Sequence, residues 1–103
     1  MYRINVYIPL SHLEQVKSAM FEAGAGKIGN YEQCCWQVKG QGQFKPGEGS
    51  DAFIGELGKL ESVEEYKVEL VCDQASIRQV INAMKLAHPY EEPAYDVYQP
   101  LDI

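Results

Sequence analysis

The chain has 103 residues, of which 46% are hydrophobic, and its formal net charge is −6 from nine Lys and Arg against fifteen Asp and Glu. This length, near the commonest domain size, predicts one domain over residues 1–103. The acidic balance and the scattered basic residues argue against nucleic-acid binding, because such a field repels phosphate backbones. No apolar run approaches the ~20 residues of a membrane span. The first residues also lack a signal-peptide pattern, so we expect a cytoplasmic protein with no membrane partner.

The first part of the chain predicts a strand followed by a helix. Apolar and polar residues alternate over Arg3–Pro9, which is typical of a strand with one buried face. Ser11 and Glu14 have the spacing of a capping box and predict the start of a helix of about four turns. The glycines of Gly24–Gly26 predict its end, because glycine adopts the left-handed conformation that helix C-termini favour.

All nine glycines lie in the middle of the chain. Tyr31–Val38 predicts a second strand, and Gly40 and Gly42 after it predict a bulge or bend. Phe44–Leu60 is then a long glycine-rich connection, and loops of this length are usually functional or held by a partner. Neither glycine motif of the nucleotide-binding loops occurs, so nothing in the sequence indicates a nucleotide cradle.

The last third of the chain predicts a strand, a helix and a short strand. Tyr66–Cys72 alternates and predicts the third strand, and Asp73 is placed to cap the helix that follows. The apolar stripe of this helix consists of Ile77, Val80, Ile81 and Met84. Pro89 ends the helix, and Tyr95–Tyr98 predicts the fourth strand.

The order of the elements is strand, helix, strand, strand, helix, strand. Because each strand is apolar on one face, both helices should cover the same side of one antiparallel sheet. We therefore predict an α+β fold, a ferredoxin-like βαββαβ sandwich with the first and third strands in the centre. The opposite face of the sheet mixes polar, aromatic and aliphatic residues, and is either solvated or packed against a second subunit.

The three cysteines do not suggest a disulfide framework. Cys34, Cys35 and Cys72 are an odd number, two of them are adjacent, and no Cys-x-x-Cys pair occurs. We expect free thiols that behave mostly as small hydrophobic side chains.

The segment His88–Tyr95 concentrates polar and aromatic side chains between two prolines. Imidazole and carboxylates suit a divalent cation, whereas the same residues also suit a rigid connector between helix and strand. Side chains alternate along an extended backbone, so we expect Glu91 and Glu92 to point apart and only one of them to join His88. An open metal site normally has three protein ligands, and the third would have to come from a cysteine or another subunit.

We therefore predict that this segment is structural and binds no metal. Its candidate binding residues for another ligand or a subunit are His88, Tyr90, Glu91 and Glu92. No Ser/His/Asp or Cys/His arrangement stands out, so no catalytic residue is predicted.

Five short motifs follow one another along the chain. They are Gly24–Tyr31, Cys34, Gly40–Pro46, Gly55–Gly58 and His88–Asp96. Together they cover essentially the whole chain and resemble the insert domain of the Nif-three-like (NGG-interacting-factor-like) family, especially its short, stand-alone bacterial members. The resemblance implies the PII-like and CutA-like version of the ferredoxin-like fold, which tends to form trimers.

The same resemblance limits what activity is expected. In the long members of the family, two metals are held by His, Asp and Glu residues of flanking segments that this chain does not contain. No metal ligand is therefore carried over to this sequence, and neither a cofactor nor the family's proposed hydrolase activity is expected. What the resemblance implies instead is a role in shaping or covering the mouth of an oligomer's cavity.

Three classes of function remain open at this point. The leading hypothesis is a non-catalytic interaction or regulatory module that self-associates, as a trimer before a dimer, with an unknown protein or small-molecule partner. The second is a small-molecule sensor of the PII type, with its ligand near the Phe44–Leu60 loop. The third is a divalent-metal-binding protein of the CutA type that uses His88, Glu91 and Glu92 with Cys34 or Cys35.

Overall fold

A computed structural model describes residues 1–103 without gaps and contains four strands, two α-helices and a short 3-10 helix. In chain order these are β1 (Tyr2–Pro9), the 3-10 helix Leu10–His12, α1 (Leu13–Glu22), β2 (Trp36–Phe44), β3 (Glu61–Cys72), α2 (Ile77–Ala87) and β4 (Tyr95–Tyr98). The strands form one sheet in the order β2-β3-β1-β4, and every neighbouring pair is antiparallel. The predicted ferredoxin-like sandwich, with β1 and β3 in the centre, is confirmed.

One face of this sheet carries the hydrophobic core. Ile4 of β1 pairs with Leu70 of β3, and Val6 pairs with Val68. These side chains are almost completely buried, in one cluster with the apolar stripes of both helices. The helix residues of this cluster are Leu13, Val16, Met20, Val80 and Met84. Both helices therefore cover the same face of the sheet, as the one-sided alternation of the strands predicted.

The other face of the sheet is not covered by a helix, and we call it the open face. The register of the strands places the intervening residues there: Arg3, Asn5, Tyr7, Pro9, Trp36, Val38, Gly40, Gly42, Phe44, Glu61, Val63, Glu65, Lys67, Glu69, Val71, Asp96 and Tyr98.

The boundaries of β2 differ from the prediction. The strand spans Trp36–Phe44 rather than Tyr31–Val38, and it pairs with β3 residue for residue along its whole length. The prediction of a bulge at Gly40 and Gly42 is wrong, because hydrogen bonding to the long β3 holds both glycines in a regular strand. Gly42 also has a packing role, since a Cβ atom there would collide with the Glu65 carboxylate.

The two predicted helix caps are wrong as well. Ser11 lies in the 3-10 helix, where its hydroxyl bonds to Nδ1 of His12 at 2.8 Å, and no side chain caps α1. The carbonyl of Asp73 accepts a hydrogen bond from the Ser76 amide, and α2 likewise has no side-chain cap. With 10 residues, α1 is shorter than predicted, and the chain leaves it at Gly24 with a φ of 121°.

The hairpin of β2 and β3 extends beyond the rest of the sheet. β1 pairs with β3 only from Glu65 onward, so residues 61–64 have neighbours only in β2. The molecule measures 46 × 25 × 24 Å with a radius of gyration of 14.5 Å, against about 13 Å for a compact chain of this length. All three cysteines are free thiols. Neither helix has the length and apolar character needed to cross a membrane.

Candidate binding site

A cavity of about 340 Å³ lies at the end of the sheet, where the loop of residues 45–60 meets the segment before β4. Its size is within the range of small-molecule sites in proteins. The wall residues that carry its chemistry are Phe44, Lys45, Phe53, Glu65, Tyr90, Glu91 and Glu92. Three of the four candidate binding residues predicted from the sequence therefore line one cavity. The fourth, His88, is not part of its lining.

A cluster of aromatic rings, which we call the ring cluster, holds the long loop against the sheet. Tyr90 lies at its centre, with its ring centroid 6.0 Å from Phe44, 6.3 Å from Phe53 and 5.0 Å from His88. Phe53 also meets the His12 ring edge-on at 5.5 Å. These separations are those of favourable aromatic pairs. Phe53 is the loop's contribution to the cluster and remains 51% exposed, so the cavity is open on that side.

His88 is buried, and both of its ring nitrogens form hydrogen bonds. Its Nδ1 accepts from the backbone amide of Tyr90 at 3.1 Å, and its Nε2 lies 2.8 Å from the carbonyl oxygen of Tyr7. A carbonyl can only accept, so Nε2 carries the proton and the ring is neutral. Burial lowers the pKa of His88, as does the nearby His12, while the Tyr7 carbonyl opposes both effects. In this arrangement His88 has no free lone pair for a metal ion.

Glu65 and Tyr90 bring two polar groups together in the wall of the cavity. The Tyr90 hydroxyl is buried beside the Glu65 carboxylate, which is close enough to act on it as a hydrogen-bond acceptor although the pair falls outside strict hydrogen-bond geometry. The Glu65 carboxylate forms no ion pair. Burial, with the Glu65 charge, raises the pKa of Tyr90 to about 12. Burial also raises the pKa of Glu65, which the Tyr90 hydroxyl partly offsets.

The two adjacent glutamates are not placed as the sequence predicted for an extended backbone. The backbone bends over residues 89–92, and both Glu91 and Glu92 line the cavity instead of pointing apart. Glu91 also accepts a hydrogen bond of 2.9 Å from the amide of Asp51, which ties this segment to the loop. Neither glutamate joins His88, and no group of three His, Cys, Asp or Glu side chains is placed to hold a metal ion.

Sequence reasoning missed the wall residues that come from β2, β3 and the loop tip. Glu65 occupies an ordinary polar position in an alternating strand, and Phe53 is a single aromatic residue in a long loop. The usable signal was Gly42, because a glycine inside a strand can mark the close approach of another group. Here that group is the Glu65 side chain.

The open face of the sheet is a second surface with incomplete contacts. Trp36 and Val38 of β2 are 59% and 44% exposed, and Tyr98 of β4 is 46% exposed. Asn5 lies on the same face and is 8% exposed. Its Nδ2 donates to the Asp96 carboxylate at 2.9 Å, whereas its amide oxygen is buried without a partner.

Comparison with known proteins identifies related sequences. No family model matches the chain. The protein named GTP cyclohydrolase 1 type 2 homolog of Halalkalibacterium halodurans is 49% identical over 98 residues, and those of Bacillus subtilis and Mycobacterium leprae are 48% and 47% identical over 96 and 93 residues. These matches cover 95%, 93% and 90% of the chain, but only 26%, 26% and 24% of the relatives. The chain thus spans about a quarter of the length of the curated relatives it matches.

Solved structures give the same relationship. A Bacillus cereus protein related to NIF3 superposes with a TM-score of 0.82 at 46% identity, over 99% of this chain and 26% of that one. The periplasmic divalent cation tolerance protein CutA of Archaeoglobus fulgidus superposes with a TM-score of 0.68 over 100% of this chain and 86% of that one. At 18% identity, the CutA match supports the fold alone. Over almost its whole length the chain is therefore homologous to one domain, about a quarter of the length, of proteins of the Nif-three-like family, and it has the PII/CutA-like fold.

Proposed function

We propose that the chain is a non-catalytic module that self-associates through the open face of its sheet. The observation that carries the proposal is the exposure of Trp36 and Val38, at 59% and 44%, on a sheet face without a helix. Tyr98 adds a second exposed ring on the far side of the same face. Exposed apolar groups collected on one surface are typical of protein interaction sites.

One further feature supports a second copy of the chain as the partner. β2 is an edge strand of nine residues, and a long edge strand offers unpaired backbone groups to another chain. The resemblance to the PII/CutA-like domains implies a trimer in preference to a dimer.

The name of the longer relatives does not transfer an activity to this chain. GTP cyclohydrolase 1 type 2 homolog describes proteins about four times as long, of which the chain spans 26% or less. A second function, the binding of a small molecule, is favoured by the cavity of about 340 Å³. Both ring nitrogens of His88 are already bonded, so this cavity supports an organic ligand better than a CutA-like set of metal ligands.

Light scattering tests the self-association directly. At about 10 µM, where ordinary micromolar interfaces are largely formed, we expect a mass near three times the 11.6 kDa of one chain. The double variant Trp36→Ser/Val38→Thr should have the mass of one chain and an unchanged far-UV circular dichroism spectrum. Leu86→Ser is the matched control, because Leu86 is 89% exposed on α2, away from the open face. A monomeric wild type, or a double variant with the wild-type mass, would exclude the proposal.

A further inference from the structure

The centre of the open face carries charges of both signs. We call the two cations and two carboxylates at this centre the charge cluster: Arg3, Lys67, Glu69 and Asp96. The two carboxylates stand on either side of Asn5, one on each strand next to β1. All members but Asp96 are partly buried. Two further carboxylates of the face, Glu61 and Glu65, lie outside the cluster, toward the projecting β2–β3 hairpin and the cavity.

None of the four charges forms an ion pair within the chain. The three ion pairs of the protein all lie elsewhere. The Asp96 carboxylate accepts a hydrogen bond from Asn5, but this partner is uncharged. Water solvates such charges as long as the face is free. If another surface covers the face, each charge loses that solvation, which is costly unless the covering surface supplies an opposite charge.

We propose that the charge cluster forms ion pairs between subunits, with the cations of one copy against the carboxylates of the next. This inference rests on the self-association proposed above and adds the chemistry that selects the partner. A second copy of the chain matches the cluster, because it brings the same two cations and the same two carboxylates. Trp36 and Val38 border the cluster on the β2 side. In the assembly they keep water away from the ion pairs, which strengthens the attraction between the charges.

Other kinds of partner fit the charge cluster less well. A basic surface would bury the two cations of the cluster against like charges. An anionic membrane or a nucleic acid would do the same to the two carboxylates. A purely apolar surface would bury all four charges without a counter-ion. Charges of both signs on one face therefore favour a partner with both signs, and they suppress association with the other classes.

Charge reversal in each half of the cluster tests the proposal. The negative variant is Arg3→Glu/Lys67→Glu, and the positive variant is Glu69→Lys/Asp96→Lys. Each should raise the dissociation constant of self-association about tenfold or more, because like charges then face each other between subunits. A dilution series in light scattering measures this constant. An equimolar mixture of the two variants should have a higher mass than either alone, because each contact between a negative and a positive chain restores opposite charges.

Two control variants reverse the same number of charges outside the open face. They are Lys27→Glu/Arg78→Glu and Glu22→Lys/Glu48→Lys, in which every replaced residue is exposed. Alone and mixed, the controls should keep the mass of the wild type. A control that dissociates as the cluster variants do would assign the effect to net charge and overturn the proposal. Far-UV circular dichroism shows that each variant is folded.

The salt dependence of the wild type is a second test, which does not depend on the folding of any variant. Raising NaCl from about 50 mM to about 500 mM shortens the Debye length about threefold. The dissociation constant should rise about threefold or more, because screening weakens the ion pairs as they form. An interface held only by Trp36 and Val38 would not weaken in salt.

Three results would overturn the proposal. They are a cluster variant with the affinity of the wild type, an equimolar mixture that keeps the mass of its components, and a wild-type dissociation constant that does not rise with salt. With an oligomeric wild type and a monomeric Trp36→Ser/Val38→Thr variant, these results contradict only the role of the charge cluster. A monomeric wild type would contradict both proposals.

Discussion

His88 connects the segment before β4 to the centre of the sheet through its two ring nitrogens. Nε2 donates to the Tyr7 carbonyl, and Nδ1 accepts from the Tyr90 amide. The amide of Tyr7 in turn donates to the carbonyl of Ala94 at 3.1 Å. β1 thus holds both ends of the bent segment, and the position of the Tyr90 ring in the cavity wall follows from this arrangement. The two prolines of this segment predicted a rigid connector. In the structure, the hydrogen bonds of His88 fix the position of the segment against β1.

The neutral form of His88 makes this connection sensitive to acid. Its pKa is lower in the folded chain than the value of about 6.5 in an unfolded one. Above pH 6.5 His88 is neutral in both the folded and the unfolded chain, so its full contribution to the free energy of unfolding is present. As the pH falls from there through the folded-state pKa, the unfolded chain binds the proton first and stability is lost. Protonation would also place an N–H group of the ring against the Tyr90 amide.

We expect His88→Gln to lower the free energy of unfolding by about 1–3 kcal/mol at pH 7.5, because buried hydrogen-bonding groups lose their partner. Thermal unfolding of both proteins from pH 7.5 to pH 5 measures the effect. The difference in melting temperature should shrink as the pH falls, because only the wild type loses the contribution of His88. His12→Gln is the control for the other histidine: it leaves both bonds of His88 intact and should keep the loss of stability on acidification, with a smaller lowering of the His88 pKa because His12 contributes to it. A difference that stays constant with pH would contradict this account.

Among the elements, β2 illustrates what sequence reasoning did and did not reach. β1, both α-helices and β3 from Tyr66 onward were recognised because their alternating or helical apolar pattern faces one core. The β-prone residues of β4 predicted that strand, whereas the first five residues of β3 and the 3-10 helix Leu10–His12 were not predicted. β2 is an edge strand whose helix-side positions Gln37, Lys39 and Gln41 are polar and whose interior contains two glycines. The boundaries of β2 are set by backbone hydrogen bonds to β3. Backbone hydrogen bonds do not require alternating apolar side chains, so the sequence shows no strand pattern there. The cavity escaped prediction for a related reason, since its walls come from separate parts of the chain.

The two glycines of β2 allow a matched test of the cavity wall. A Cβ atom at Gly42 would collide with the Glu65 carboxylate, whereas one at Gly40 would meet open space. Gly40→Ala should stabilise the strand by about 0.5–1 kcal/mol, because glycine is costly in a strand interior. Gly42→Ala should remain folded but push the flexible Glu65 side chain out toward solvent. NMR titration should then find a lower pKa for Glu65 in Gly42→Ala and an unchanged one in Gly40→Ala. Equal values in both variants would mean that Gly42 does not control the carboxylate.

At the scale of the whole molecule, the open face and the cavity meet at Phe44 and Glu65, which lie on that face and also line the cavity. The open face belongs to the strands, which are fixed by the core beneath them. The cavity depends on the loop that closes the projecting β2–β3 hairpin, and on the ring cluster that holds this loop in place. None of the residues of the core cluster comes from positions 45–60. The loop can therefore be replaced without changing the core or the exposed Trp36 and Val38 of the open face.

Replacement of residues 45–60 by Asn-Gly makes that change. Phe44 and Glu61 are paired partners at the end of the hairpin, and a two-residue Asn-Gly turn suits the twist of two antiparallel strands. The variant loses the contacts of Phe53 with Tyr90 and His12, each worth about 0.5–1.5 kcal/mol. The shorter loop also removes the entropy cost of closing a long loop, and this gain in stability partly offsets the lost contacts.

We expect the shortened chain to unfold cooperatively within about 10 °C of the wild type, since a loss of 1 kcal/mol moves the midpoint of a chain this size by roughly 4–8 °C. Light scattering should give the same number of subunits as the wild type, because Trp36 and Val38 of the open face stay in place. A loop of the original length made of Gly and Ser is the control, because it returns the length without Phe53 and should give the same mass. A shortened chain that is monomeric would place the loop, rather than the open face, between the subunits.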